Sequence, residues 1–378
     1  MKMLGLLLFS LFIMVGCSGG KELKISVMNP ALTDRHNEMV TVAWNAVSEK
    51  LQLTEGGAII VVDSADNQLP YQILYQGNET PVSIIFPVTL KPCETAHYAI
   101  KKGMPDSFAI RTFGRYVPER KDDFAWENDR IAFRMYGPAL TPENPSNGVD
   151  VILKRTEALF LDGMYENDAK GISYHVDHGS GLDCYKVAHT LGGGGIAPFF
   201  HDTLWIGGAY SSYKVLDTGA LRTSFELAYD SVPFGNKHIT QKITVTLDAF
   251  SQFNQATVTY DGDFESFELA GGFWLHNEMG NIRSSQDFGY IAYAENASDS
   301  PIPVGRTYIG VIFPQGMNNI IQHDAHLLGL ADYVKGNTFT YYFGAGWSKW
   351  GFDSDEAWFD YVERYTWHVH QPLILNYQ

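Results

Sequence analysis

A thirteen-residue segment, Tyr174–Lys186, carries the side chains best suited to proton transfer. It contains His175 and His178, and an imidazole changes its charge near neutral pH. In a proton-transfer site, either histidine would act as the base and Tyr185 as its acid partner. Two other interpretations stay open. One is a metal site made by His175, His178 and Asp183, whose spacing matches no established pattern. The other is a polar turn whose histidines bind backbone groups.

A second polar segment, residues 111–137, has about twice the charge density of the chain, because eleven of its 27 residues are charged against 19% overall. Charges of both signs alternate there with aromatic residues. Opposite charges this close can hold one another in fixed rotamers, and aromatic faces among them offer a platform for a sugar ring. The alternative is a salt-bridged loop that leads into a strand. The candidate substrate-binding residues here are Arg115, Trp126, Asn128 and Arg130, and Glu127 is a candidate acid.

The remaining polar or glycine-rich groups give weaker signals. The tetraglycine Gly192–Gly195 lacks the GxGxxG and GxxxxGK[ST] arrangements, which argues against nucleotide binding. Beyond Gly16–Gly20, at the end of the N-terminal apolar run, the sequence contains no GxSxG motif, and it contains no HExxH motif. Lys186, Trp347 and Lys349 complete the candidate binding residues. The group His276-Asn277-Glu278 is a further candidate for the lining of a cleft.

Strands must position most of these groups, because the chain has 14% aromatic residues and 36 glycines but only 19% charged residues. Runs of β-branched residues predict a small β-sandwich over residues 24–104. Alternating patterns such as Ile131–Tyr136 predict longer strands within residues 105–378. One helix is predicted to begin after the N-cap Ser354, with Trp358 on its apolar face, and to pack at a sheet edge.

The N-terminus resembles that of a bacterial lipoprotein. Lys2 precedes an apolar run at residues 3–16, which is shorter than the roughly 20 residues that a membrane-spanning helix needs. The lipobox-like end of this run predicts a signal peptide of residues 1–16, acylation of Cys17 and a tether over residues 17–23. No later stretch is apolar for long enough to span a bilayer. We therefore expect localisation at the cell envelope, in the periplasm or on the outer-membrane surface, with the lipid as the one contact with the membrane.

Charge and cysteine content limit the partners. A formal charge of −16 argues against nucleic acid, whose binding relies on clustered Lys and Arg. Cys93 and Cys184 either form a disulfide or remain separate buried thiols. The sequence requires no cofactor, and a divalent cation such as Ca²⁺ is compatible with it.

Three segments together resemble an uncharacterised lipoprotein family of polysaccharide-degrading Bacteroidota, a domain of unknown function: residues 115–134, 178–195 and 346–349. The resemblance covers nearly the whole mature chain. It implies a mainly β fold, in which a large galactose-mutarotase-like super-sandwich follows the small sandwich. It also implies a role in polysaccharide utilisation, near enzymes that degrade uronate-containing glycans. The family carries no agreed catalytic residues.

From this resemblance we expect a carbohydrate-active enzyme that acts on uronate-containing plant or algal oligosaccharides. The first reaction considered is β-elimination, as in a polysaccharide lyase. Arg115 or Arg130 with Asn128 would neutralise the uronate carboxylate. One of the two histidines would then remove the C5 proton, and Tyr185 would protonate the leaving oxygen.

Glycoside hydrolysis is the second reaction, with Glu127 as the acid and Asp183 as the second carboxylate. One alternative is a non-catalytic glycan-binding lipoprotein, in which Trp126, Trp347 and Trp350 stack on sugar rings. Another is a sugar epimerase, since the super-sandwich also supports mutarotation by a Glu and His pair. The sequence leaves the sugar and the linkage open.

Overall fold

The computed structural model describes residues 21–54, 56–276, 280–296 and 303–377. The predicted signal peptide, Cys17 and the first part of the tether therefore lie outside the described residues. Among the helices that are described, none combines the length and the apolar content that crossing a bilayer requires.

The described residues form mostly strands. The first part of the chain contains β1 (Glu22–Met28), β2 (Arg35–Ala43), α1 (Trp44–Leu51), β3 (Ile59–Asp63), β4 (Gln68–Leu69), β5 (Gln72–Leu74), β6 (Ser83–Leu90) and β7 (Thr95–Lys102). Next come β8 (Thr112–Val117), β9 (Asp123–Asn128), β10 (Ala132–Met135), β11 (Val149–Lys154), α2 (Leu161–Asp168), β12 (Gly181–Asp183) and β13 (Gly193–Phe199), with short 3-10 helices at Pro118–Arg120 and Pro138–Leu140. The rest contains β14 (Ser212–Asp217), β15 (Arg222–Phe234), β16 (Lys237–Asp248), β17 (Phe253–Asp261), β18 (Ser266–Trp274), β19 (Asn281–Ser285), β20 (Tyr290–Asn296), β21 (Arg306–Ile312), β22 (Asn319–His323), β23 (His326–Val334), β24 (Phe339–Trp347), α3 (Asp355–His370) and β25 (Ile374–Tyr377).

A small β-sandwich opens the fold. One sheet has the strand order β25-β1-β7-β3-β4 and the other β2-β6-β5. Alternate residues of these strands, such as Ile25, Val42 and Phe86, fill a core of their own. The C-terminal strand pairs with β1, Ile25 lying opposite Tyr377, so the end of the chain belongs to the N-terminal sheet. The division of the chain at residues 104 and 105 stays a prediction.

A large super-sandwich follows, which confirms the predicted fold class. Its eight-stranded sheet has the order β14-β15-β16-β17-β24-β21-β20-β19. Two smaller sheets, β12-β11-β10-β9-β8 and β13-β18-β23-β22, contribute to the same core. Trp126, Phe225 and Phe273, one from each sheet, lie in that core. Burial of this apolar surface is the main stabilising term of the fold.

The predicted C-terminal helix is present as α3, and its N-cap is Ser354, whose hydroxyl accepts a hydrogen bond from the Ala357 amide at 3.2 Å. The helix packs on the outer face of the large sheet rather than at a sheet edge. Trp358 and Val362 contact the residues of β20 and β21 that point away from the main core, among them Ala292 and Tyr308. Period-two alternation gives these strands a second apolar face, and α3 covers it.

Candidate functional site

A buried polar cluster lies on the outer face of the sheet β12-β11-β10-β9-β8. Strand alternation turns Phe133 into the core and Arg134 to the opposite face. Register then places Asp150 directly beside Arg134. With Asp123 and Asp183 these residues form what we call the Arg134 cluster, whose four side chains are all less than 5% exposed.

One cation faces three carboxylates in this cluster. Arg134 donates from Nη2 to Asp150 and, at 2.9 Å, to Asp183, whereas its Nε lies 3.5 Å from Asp123 Oδ2. Burial raises the pKa of Asp123 to about 6. Burial and the charge of Asp183 raise the pKa of Asp150 to about 7. Asp150 therefore carries its charge only partly near neutral pH, which lowers the cost of burying so many acids.

The two charged segments of the sequence meet over this cluster. Arg120 Nε donates to the Tyr174 hydroxyl at 2.9 Å, and Arg115 binds Asp162 of α2 at 2.7 Å. The Tyr174 ring in turn lies 5.8 Å from the Arg134 guanidinium. Residues 115–134 and 174–186 are therefore in contact. They cover the buried Arg134 cluster and do not form an open cleft over it.

Burial corrects the hydrolytic roles assigned to Glu127 and Asp183. Glu127 is 1% exposed, and one of its oxygens accepts a hydrogen bond from the Lys154 ammonium. Its other oxygen accepts hydrogen bonds from the backbone amides of Phe160 and Leu161, at 2.8 and 2.9 Å. Glu127 thus satisfies amides at the start of α2 and the charge of a buried lysine. Asp183 is likewise buried and forms an ion pair with Arg134. Neither carboxylate can therefore reach a glycosidic bond in this structure.

Tyr185 is also an interior residue, which corrects its role as acid partner. Its ring is 3% exposed, and its hydroxyl donates to the Gly192 carbonyl at 3.0 Å. Burial holds the pKa of this phenol well above its usual value. Its proton is committed to the backbone that begins the tetraglycine.

His175 and His178 are exposed, in the segment that covers the Arg134 cluster. His175 Nδ1 donates to the Asp183 carbonyl at 2.8 Å, and His178 Nε2 donates to the Ser173 carbonyl at 3.0 Å. A carbonyl can only accept, so these contacts fix the protonated nitrogen in each ring. The role of the two histidines as bases stays a prediction.

Two of the three predicted sugar platforms, Trp126 and Trp347, are core residues, which is a further correction, whereas Trp350 is only partly buried. Trp126 and Trp347 are 0% and 1% exposed. Their indole N–H groups donate to Asn254 Oδ1 at 2.8 Å and to the Val304 carbonyl at 2.9 Å. Asn128, fully buried, binds backbone atoms of the turn that follows β9. A buried indole has no face left for a sugar ring.

The other predicted binding residues lie at or near the surface. Arg115 is held by Glu119 and Asp162, and Arg130 lies 3.6 Å from Glu157. The exposed Lys349 packs over the Trp347 ring, and Lys186 is exposed beside β12. A common site for these four residues stays a prediction.

The fold brings His276, a weak candidate in the sequence, next to the carboxylate of Glu295. His276 follows β18, and its Nδ1 lies 2.6 Å from Oε1 of Glu295 in β20. Its Nε2 lies 2.5 Å from the Lys186 carbonyl. The rings of Tyr185 and Trp274 pack on the imidazole, with centroids 4.6 and 4.2 Å away. No sequence spacing signals this pair, and Asn277 and Glu278 lie outside the described residues.

Nε2 of His276 faces the Lys186 carbonyl, which can only accept, so this nitrogen carries a hydrogen. Nδ1 faces a carboxyl oxygen of Glu295. Donation of the Nε2 hydrogen to another oxygen requires the Lys186 carbonyl to move away from this nitrogen.

A cavity of about 540 Å³ opens beside this pair, within the size range of small-molecule sites. We call it the His276 cavity. His323, which also lines it, lies 3.2 Å from Asp324 and 3.9 Å from Asp202. The full lining consists of Leu275, His276, Gly280, Ile282, Tyr293, Gln322, His323, Asp324 and Ala325.

The rim of the cavity includes a strained two-residue turn. Asp324 and Ala325, between β22 and β23, have φ angles of 44° and 57°. Alanine is disfavoured at positive φ, where glycine is at ease. We expect Ala325→Gly to raise the free energy of unfolding by about 0.5–1 kcal/mol, measured by urea denaturation. A loss of stability would show that this backbone is not strained.

Metal ligation has no support in the part of the chain that the structure describes, where no three His, Cys, Asp or Glu side chains are grouped to hold an ion. The Ca²⁺ of the sequence analysis stays a prediction. Cys93 is exposed and Cys184 is buried, and the two do not form a disulfide.

A solved structure shares this fold. The chain superposes on a protein in the glycosyl hydrolase family 38 from Enterococcus faecalis with a TM-score of 0.51 and 8% identity, over 95% of this chain and 47% of that one. An α-mannosidase from Enterococcus faecalis V583 matches with a TM-score of 0.48 and 9% identity, over 95% and 46% of the two chains. The chain thus spans about half the length of these solved structures.

Sequence comparison gives the family. "Uncharacterized protein P7" of Formosa agariphila is 30% identical over 315 residues, which cover 78% of each chain. The family described as domain of unknown function (DUF4861) matches residues 27–374. The predicted resemblance to a domain of unknown function is thereby confirmed, and the chain belongs to the DUF4861 family.

Proposed function

We propose that this protein is a carbohydrate-active enzyme that acts on uronate-containing oligosaccharides, with His276 and Glu295 as its proton-transfer pair. The observation that carries the proposal is the position of His276: held by a buried carboxylate, at the wall of a sugar-sized cavity. The super-sandwich shared with a protein in the glycosyl hydrolase family 38 supports a carbohydrate substrate.

Elimination suits this cavity better than hydrolysis. Hydrolysis pairs two carboxylates about 5–9.5 Å apart across the bond. Asp324 is the one carboxylate among the lining residues that the structure describes, which leave out residues 277–279, and Glu295 lies behind the imidazole. In elimination, a base removes the C5 proton and the electron pair forms the C4–C5 double bond. The C4–O bond breaks, and His276 protonates the departing oxygen.

Two other residues receive roles in this scheme. His323, on the same cavity wall, is the base for the C5 proton. The uronate carboxylate also needs a cation, since neutralising it makes the C5 proton acidic. Lys186, whose carbonyl binds His276, takes this role in place of Arg115 and Arg130. Like them it is not among the lining residues, so its side chain has to reach over the rim of the cavity.

The test is product formation by the wild-type protein on a panel of acidic and neutral oligosaccharides. Elimination gives the absorbance of an unsaturated uronate, and hydrolysis gives new reducing ends without it. His276→Ala should abolish the absorbance change. His238→Ala, at an exposed position of β16, is the matched control and should leave it unchanged. Binding of the glycans without any product would instead favour a non-catalytic glycan-binding protein.

A sugar epimerase is the second candidate, because the pair of His276 and Glu295 is the kind of acid–base pair that mutarotation uses. Polarimetry on simple aldoses tests it: faster mutarotation in the wild type than in His276→Ala would support this activity. An equal rate would exclude it for those sugars.

We further propose that the protein is exported to the cell envelope as a lipoprotein acylated on Cys17. The apolar run and the lipobox-like residues before Cys17 support this. Metabolic labelling with a radioactive fatty acid should mark the wild type and not Cys17→Ala. Equal labelling of both proteins would overturn the assignment.

A further inference from the structure

A second cleft lies between the small N-terminal sandwich and α3, and we call it the interunit cleft. Its volume is about 380 Å³. The chain before and within β2 supplies one wall, the β16–β17 connection supplies another, and α3 supplies the third. It shares no lining residue with the His276 cavity.

Aromatic side chains line this cleft. Tyr342, Tyr361 and Tyr365 are only partly buried. Their rings stand at angles to one another, with centroids 5.8 Å apart for Tyr342 and Tyr365 and 6.1 Å apart for Tyr361 and Tyr365. Phe250, on the β16–β17 connection, adds a fourth ring. Partly exposed aromatic faces in a concave site pack well against the C–H face of a pyranose.

The lining of the cleft includes one arginine and three carboxylates. Arg364 is exposed on α3, lies 5.9 Å from the Tyr361 ring centroid, and makes no ion pair with any residue that the structure describes. The nearby acids are engaged elsewhere: Asp248 by Arg222 and Glu38 by Arg35. Asp34, the other carboxylate of the lining, is exposed. Arg364 is therefore available to an anionic group of a ligand.

His368, inside the cleft, has its pKa lowered to about 4, first by burial and then by the charges of Arg35, Arg364 and His36. Its ring is therefore neutral at pH 7. Arg364 is the one Lys or Arg side chain among the lining residues that the structure describes.

We propose that the interunit cleft is a second glycan-binding site that takes an anionic saccharide, with a sugar ring against Tyr342 and Tyr365 and its carboxylate or sulfate on Arg364. This site binds the chain of a polymer away from the His276 cavity. The inference does not depend on turnover, because binding at the cleft needs no proton transfer.

Isothermal titration calorimetry tests this proposal on the full chain carrying His276→Ala, which prevents turnover. The probes are a galacturonate trisaccharide, a sulfated galactose disaccharide and neutral maltotriose. Adding Arg364→Ala should weaken both anionic probes by about tenfold or more, the effect of one lost charge-assisted hydrogen bond. Arg364→Lys should restore part of this loss. The two anionic probes show whether carboxylate or sulfate is preferred.

Two controls make the result specific. Lys237→Ala removes an exposed cation at the β15–β16 turn and should change no affinity. Tyr342→Ala should weaken the anionic and the neutral probes alike, because stacking does not depend on charge. Equal affinity of the anionic probes for the proteins with and without Arg364→Ala would overturn the proposal. Failure of both anionic probes to bind would also overturn it.

Discussion

His276→Ala is expected to lower kcat on the acidic oligosaccharide by roughly 10²- to 10⁴-fold, the usual contribution of a positioned acid or base. The imidazole is held on one side by Glu295 at 2.6 Å and packed between Tyr185 and Trp274. Loss of the ring removes the proton donor and leaves the cavity walls in place. KM should therefore change much less than kcat, as steady-state kinetics would show.

Glu295 acts on substrate through His276, so the two substitutions should not be additive. Glu295→Gln keeps a hydrogen-bond acceptor but removes the charge that supports an imidazolium, and should lower kcat while leaving the protein folded. The double variant should be no slower than His276→Ala alone, because residues that act as a unit lose their effect together. Independent, multiplicative losses would contradict the paired role.

Arg134→Met is expected to lower the free energy of unfolding by about 3–5 kcal/mol, the usual effect of removing one partner from a buried ion pair. Asp123, Asp150 and Asp183 would then lie in the interior without their cation. The methionine replaces much of the apolar stem, so lost charge rather than lost packing dominates. Urea denaturation at pH 7 measures the change.

Asp150→Asn provides the contrast to Arg134→Met. In the folded protein the pKa of Asp150 is raised from 3.8 to about 7. The protonated form is therefore favoured by folding, and the stability this group contributes is complete below pH 3.8 and is lost as pH rises through 7. Asn imitates the neutral acid, so the variant should lose part of the wild-type decline in stability between pH 4 and 7. An unchanged pH profile would show that Asp150 is ionised throughout.

Much of the fold follows from local patterns in the sequence. The alternation at residues 131–136 is that of β10, and the Ser354 hydroxyl caps α3 as predicted. These features depend on neighbouring residues, and strand period and N-cap chemistry act over a few positions. Local patterns therefore predicted a mainly β chain with a small sandwich at its start, and the family resemblance added the large super-sandwich.

The candidate site depended on contacts that no local pattern contains. Polar residues such as Glu127 and Asp183 suggested a surface, but α2 and the segment after it cover that face of the sheet, so both carboxylates became internal ion-pair partners. Trp126 likewise became core. His276 and Glu295 lie on strands or strand ends of different sheets, and only the packing of one sheet against another brings them within 2.6 Å. Residue type and spacing determine which helices and strands form, because backbone preferences and capping act over a few neighbouring residues. The packing of these elements then decides which polar groups are buried and which partners they have.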